Sequence, residues 1–278
     1  MADITDEVYA SRLTIFQDLF ANKISSPKAA EQVASASLAA DALLEEQLGL
    51  LWSLILKLAC KYPEHQDKLV DVVVDLSELP DATTAAESET SQPQPLIIYK
   101  MQVWKDLPMF GWEVREYWNL SVPVNGTREE KQDVISNMVN ISRFIALLIA
   151  TDEPIFANAD YLWFALVTLR EALETPWVLM LPGDPLNAWI PAAAAWIEVL
   201  GVEIYDWEEE YESGPEFGAR GRGGPLWEGK HGFSKGRWKL WRERFGEFSR
   251  KEDESAEVRR IAEEAELMMK EIEAGHVE

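Results

Sequence analysis

The stretch from Leu43 to Leu58, LLEEQLGLLWSLILKL, is apolar on most sides of a helix rather than along one stripe. A helix of that kind must be covered by other elements, so it predicts a central helix wrapped by neighbours. The flanking segments supply them. Asp6 to Ala21 places Val8, Phe16, Leu19 and Phe20 near one face. Ser26-Pro27 reads as N-cap and first helical residue of a second helix, with a break near Ala39 to Asp41. Pro63 to Leu79 turns Leu69, Val72, Val73 and Leu76 inward. Strand signals are nearly absent; the LIIY run at Leu96 has the composition of a strand but no evident partner.

The later chain continues the pattern. A helix is expected from Pro108 or Gly111 to Trp118. Thr127 with Glu130 three residues on forms a capping box, and that helix runs to about Ala150. Asn158 or Asp160 opens a helix that ends before Thr175-Pro176. Asp184-Pro185 opens another, kinked at Pro191 and terminated by Gly201. Ser234 caps KGRWKLWRERFGEFSR, and Glu254 to Ala274 closes as an amphipathic helix carrying Val258, Ile261, Ala265, Met268 and Ile272. The expected fold class is all-α, a multi-helix globular bundle. An N-terminal helical region (1–79) and a main helical region (96–278) are separated by a polar, proline-bounded linker (80–95), within one compact body. A glycine-rich loop covers 212–232.

Charge is unevenly placed. The chain carries a formal net charge of −23, which argues against general binding to nucleic acid or to an anionic membrane. Yet Ala219 to Lys251 holds ten Lys/Arg against three Glu. Such a segment either docks on the acidic body or offers an anion site. The helix inside it aligns Trp238, Trp241, Phe245 and Phe248 in one stripe, which is a pattern of burial, with Arg237 and Arg244 beside it. A pocket for a small anionic ligand walled by Arg237 and Trp238 is the alternative. Phe217 to Pro225, FGARGRGGP, matches neither dinucleotide nor P-loop spacing and reads as a surface loop.

Metal and covalent chemistry are poorly supplied. His65, His231 and His276 stand apart, and Cys60 is the one cysteine. No metal or cofactor is expected. The absence of cysteine pairs suits a reducing compartment, and with no apolar signal core near the N-terminus the expected location is cytoplasmic, the nucleus being the alternative. Runs such as Tyr161–Val167 are far shorter than the roughly 18 residues of a membrane span. Polar side chains on apolar helices are the remaining lead. Arg115, Trp118, Asn119 and Asn140 join Arg237 and Trp238 as candidate ligand-binding residues. Arg170 and Glu174, at i and i+4, are expected to pair.

Four segments taken together carry a resemblance. They are WKDLPMFGWEVREYWN from Trp104, NISRFIALL from Asn140, YLWFALVTLREALE from Tyr161, and PLWEGKHGFSKGRWKLWRERF from Pro225. The set resembles a fungal family of uncharacterised helical proteins, a domain of unknown function, over about Trp104 to Phe245. Trp118 and Asn119 are adjacent here, where the family pattern separates them by one residue. The family's arginine near the place of Leu147 is absent, with Arg143 one turn earlier. The resemblance implies an intracellular helical fungal protein and assigns no activity. The functional expectation is an interaction or small-ligand-binding module, engaging a protein partner or a second copy through its C-terminal helix. The alternative is a metal-independent enzyme of small-molecule metabolism with an aromatic-lined pocket. No nucleophile, base dyad or cofactor loop is recognisable, which favours binding.

Overall fold

The computed structural model describes residues 2–39, 43–83, 94–179, 185–208, 210–211 and 221–276, with side chains from residue 8 onward. Outside them lie residues 40–42, where a helix break is expected, most of the expected linker (84–93), Asp184, and the first stretch of the glycine-rich loop (212–220). The described residues form ten α-helices and one two-stranded hairpin, the all-α fold that the periodicity predicts. They gather into two compact units, Met1–Asn119 and Leu120–Glu278.

In the first unit α1 (Ala2–Phe20), α2 (Ser26–Leu38), α3 (Leu44–Lys61), α4 (Gln66–Ser77) and α5 (Phe110–Trp118) surround a common core. α3 is the central helix that its composition predicts, burying Leu48, Leu51, Trp52, Leu54, Ile55 and Leu58 among others. α1 ends where Asn22 takes a left-handed conformation (φ 56°), the usual stop when glycine is missing. Lys68 of α4 then donates to the carbonyls of Leu19 and Phe20 at 3.1 and 3.0 Å, satisfying acceptors that a helix end leaves open. Arg12 is buried and ties three helices together. Its Nη1 donates to Gln47 O, and its Nη2 to Ser37 Oγ and Gln47 Oε1, at 2.9–3.1 Å. Burial lowers its pKa to about 10. The N-cap of α2 is Ser25, one residue before the serine expected, so that Pro27 sits in the first turn.

The described ends of the expected 80–95 linker lie side by side. Thr83 bridges Pro95, and Leu96 N donates to Ala82 O at 2.6 Å, so its ends meet inside the first unit. LIIY does find a partner, four residues on: β1 (Ile97–Ile98) pairs antiparallel with β2 (Met101–Gln102). The pairing is so short that no period-2 pattern can announce it.

In the second unit α6 (Arg128–Ile149), α7 (Ala159–Leu173), α9 (Lys235–Ser249) and α10 (Ala256–Gly275) all pack on α8 (Leu186–Asp206). α8 is long and apolar enough to cross a membrane by length and composition, yet Ile190, Trp196, Ile197, Leu200 and Ile204 are buried by its neighbours, as in a core helix. The helix is interrupted beside Gly201, where a stop is expected, and then resumes to Asp206; Pro191 is not where it breaks. The non-helical torsions fall at Leu200 (φ −123°, ψ 21°). Gly201 also lets α10 come close: a Cβ there would lie 2.7 Å from Ile272 Cδ1. The caps at Thr127, Asn158 and Ser234 form as their sequence signatures predict. Ser255 caps α10, whose first residue, Ala256, lies two after the expected start at Glu254.

Candidate functional site

The stripe on α9 is buried throughout, with Trp238, Trp241, Phe245 and Phe248 at most 1% exposed. Arg237, in the first turn, is fully buried beside it. A guanidinium has five N–H donors, and all five have acceptors. Nε donates to Glu174 Oε1 at 2.5 Å and Nη2 to Glu174 Oε2 at 3.0 Å, a two-pronged ion pair. Nη1 donates to the carbonyls of Gly221 (2.9 Å) and Gly232 (2.7 Å), and Nη2 also to that of Arg222 (3.2 Å).

Glu174 is the C-cap of α7 and is equally satisfied. Oε1 also accepts from Trp241 Nε1 (2.7 Å), and Oε2 from the backbone N–H of Gly224 (2.7 Å). Its own carbonyl accepts from Leu226 N at 2.9 Å. Two buried charges repay their desolvation only when every lone pair and proton is used, and here they are. The result is a fixed loop: the chain from Gly221 to Gly232 is pinned at both ends by one arginine and in the middle by one glutamate. The expected Arg170–Glu174 pair does not form. Arg170 turns to Glu171 (2.9 and 2.6 Å), leaving Glu174 to the interior.

The glycines of this loop have a steric cause. A Cβ at Gly223 or Gly229 would lie 2.4 or 2.2 Å from the Trp227 ring, and Gly236 faces the same ring. Three glycines therefore form a slot for one indole, whose Nε1 donates to Lys230 O at 2.8 Å. Gly224 closes on the Glu174 backbone, where a Cβ would come within 2.9 Å of its carbonyl oxygen. Gly221 is left-handed (φ 73°) and abuts Tyr211. So the glycine-rich composition reflects close approach to side chains and backbone.

Over the buried pair lies an open cleft of about 810 Å³, walled by Trp227, Arg222, Arg170, Thr175 and His231. Arg222 is exposed and makes no ion pair among the described residues. Glu171 and Glu228 also reach the rim. His231 Nδ1 is buried without a hydrogen-bond partner among the described residues.

The basic segment docks on acidic neighbours. Trp238 Nε1 donates to Glu273 Oε1 at 3.0 Å, and Arg242 binds the other oxygen of Glu273, so α10 is clasped to α9. Arg244 donates to Leu173 O at 3.1 Å and lies 4.5 Å from the Trp177 ring centre. Lys235 covers the Tyr205 ring and pairs with Asp206 (3.2 Å), whose other oxygen is 3.3 Å from His276 Nε2. Lys235 first, and then His276, hold the Asp206 carboxyl below its usual range. A depressed carboxylate stabilises the fold above its unfolded pKa and stops doing so as pH falls through the folded value. The gap in thermal midpoint between the wild type and Asp206→Asn is therefore expected to be small but positive at neutral pH and to close below about pH 4. A gap that persists in acid would assign the effect to packing.

Of the residues expected to bind ligand, Arg237 and Trp238 share this buried seam, and every guanidinium donor of Arg237 is already taken within the chain. Asn140 is half-buried on α6. Arg115 and Asn119 are exposed and Trp118 half-buried at the end of α5, in the first unit. Glu174, Trp227 and Arg222 are the residues that sequence reasoning passes over as a site. One signal for Glu174 exists: an acid at a helix C-terminus opposes the helix dipole and so calls for a cation.

The chain is an all-helical protein with tryptophan-rich aromatic clusters. It belongs to a family described as a protein of unknown function (DUF3632), whose model matches residues 52–245. That span includes Glu174, the Trp227 loop and Arg237. No curated protein and no solved structure matches the chain.

Proposed function

We propose that the chain is a binding module whose recognition element is the 221–233 loop, and that its ligand is a small anionic molecule with a flat apolar body. One observation carries this reading: a fully satisfied buried ion pair holds a surface loop in place beside a cleft that presents one indole and one exposed arginine. Rigidity in advance lowers the ordering cost of binding. Trp227 offers a face for a ring and Arg222 a fork for a carboxylate or phosphate. The apolar residues of α10, Val258, Ala262, Ala265 and Met269, are buried within their own unit, so the loop rather than that helix is the better candidate for recognition. An intracellular setting in a fungal cell, which the resemblance implies, belongs to the same reading, as does binding without catalysis.

The test is a thermal-shift and calorimetric screen with benzoate, phenyl phosphate and indole carboxylates. A ligand at about a hundred times its Kd adds about 2.7 kcal/mol, a rise of roughly 5–10 °C for a unit of this size. Arg222→Ala is expected to keep the unliganded midpoint and lose the rise. If no aromatic anion shifts the wild type, or if Arg222→Ala responds equally, the reading fails.

A further inference from the structure

The first unit presents a separate surface, independent of the cleft. Tyr99 and Lys100 form the whole turn between β1 and β2, and both are left-handed (φ 53° and 67°). Such two-residue turns favour Asn-Gly, because ordinary side chains are strained in the left-handed region. The turn sets the Tyr99 ring against Trp112 of α5, centroids 5.0 Å apart at 57°. Its hydroxyl donates to the Glu45 carboxylate of α3. The two rings steady each other yet stay open to water: Tyr99 is 53% exposed, Trp112 58% and Ile97 beside them 53%.

Carboxylates frame the rings. Glu45 is bonded to Tyr99, Glu116 stands one helical turn after Trp112, and Glu113 follows Trp112 directly. Burial, and then the nearby Glu116, hold the Glu113 carboxyl above its usual range. On the two elements that carry the rings, the basic residues are Lys100 of the turn and Arg115 of α5, and Arg115 is itself engaged. We infer that the Tyr99–Trp112 platform docks an arginine-bearing segment of a partner protein. A guanidinium stacks on an indole face while its fork binds a carboxylate, a combination that an ammonium group reproduces poorly.

The experiment uses the full chain and a fluorescein-labelled Gly-Arg-Gly-Arg-Gly-Arg peptide, followed by anisotropy at about 150 mM salt, where long-range attraction to the acidic chain is screened. Saturable binding is expected, weakened about tenfold by Trp112→Ala and several-fold by Glu116→Gln, with the lysine counterpart peptide binding several-fold more weakly. Both side chains are exposed, so the variants should keep the wild-type thermal midpoint. Failure of the wild type to bind, or equal binding by both variants, overturns the inference. Equal binding of the lysine peptide overturns its choice of arginine.

Discussion

Glu174→Ala is expected to destabilise the second unit by about 3–5 kcal/mol, the cost of leaving a buried charge without its partner. Arg237 has no exposed surface through which water could replace the carboxylate. The substitution also strips acceptors from Trp241 Nε1 and from Gly224 N. The midpoint should fall by roughly 6–20 °C. A second variant separates charge from architecture. Glu174→Ala combined with Arg237→Met removes the stranded charge, and much of the loss should return. Hydrogen-exchange protection of residues 221–233 should not return, because the carbonyls of Gly221, Gly232 and Arg222 still lack their donor. A loss below about 1 kcal/mol for Glu174→Ala would mean that the pair is far more hydrated than its geometry indicates.

That hierarchy explains what can be read in advance. Helix starts are set within four residues, so Thr127 with Glu130, Asn158 and Ser234 are legible as caps. Stripes are set by helical period, so the inward face of α9 is legible too. What fails has its cause elsewhere in the chain. Gly201 has the composition of a helix stop, but the chain breaks only at Leu200 and resumes to Asp206, where packing on α10 carries it on. Arg170 and Glu174 have the spacing of a pair, but Arg237, on another helix, competes for the glutamate with a better fork. The glycines around Trp227 are legible as a loop. Their purpose is not, because a slot for an indole requires knowing where the indole lies. Arg237 stands out as a ligand group for its charge and its aromatic neighbours; the same features describe an internal clamp, and only the acceptors tell the two apart.

A similar clamp, neutral this time, governs the first unit, and Trp52→Ala tests it. Trp52 is fully buried on α3, and its Nε1 donates to Pro108 O at 2.9 Å. Its ring meets Phe110 edge-on at 5.4 Å. The carbonyl it holds lies between Leu107 (φ 44°) and Met109 (φ 68°), two left-handed residues without the freedom of glycine. Strain of that kind persists only where surrounding contacts over-determine it. Trp52→Ala is expected to cost about 3–5 kcal/mol through lost burial and the cavity left behind. Trp52→Phe keeps most of the volume and should cost about 1–3 kcal/mol, mainly for the orphaned carbonyl. The two should differ in size but agree in place: amides of residues 103–112 lose exchange protection before those of α2 and α4. Since Trp112 closes that segment, Trp52→Phe should also weaken arginine-peptide binding. Should the 103–112 amides stay protected in Trp52→Phe, the indole hydrogen bond is not what holds the left-handed turn, and the buried Leu107 and Phe110 side chains must suffice.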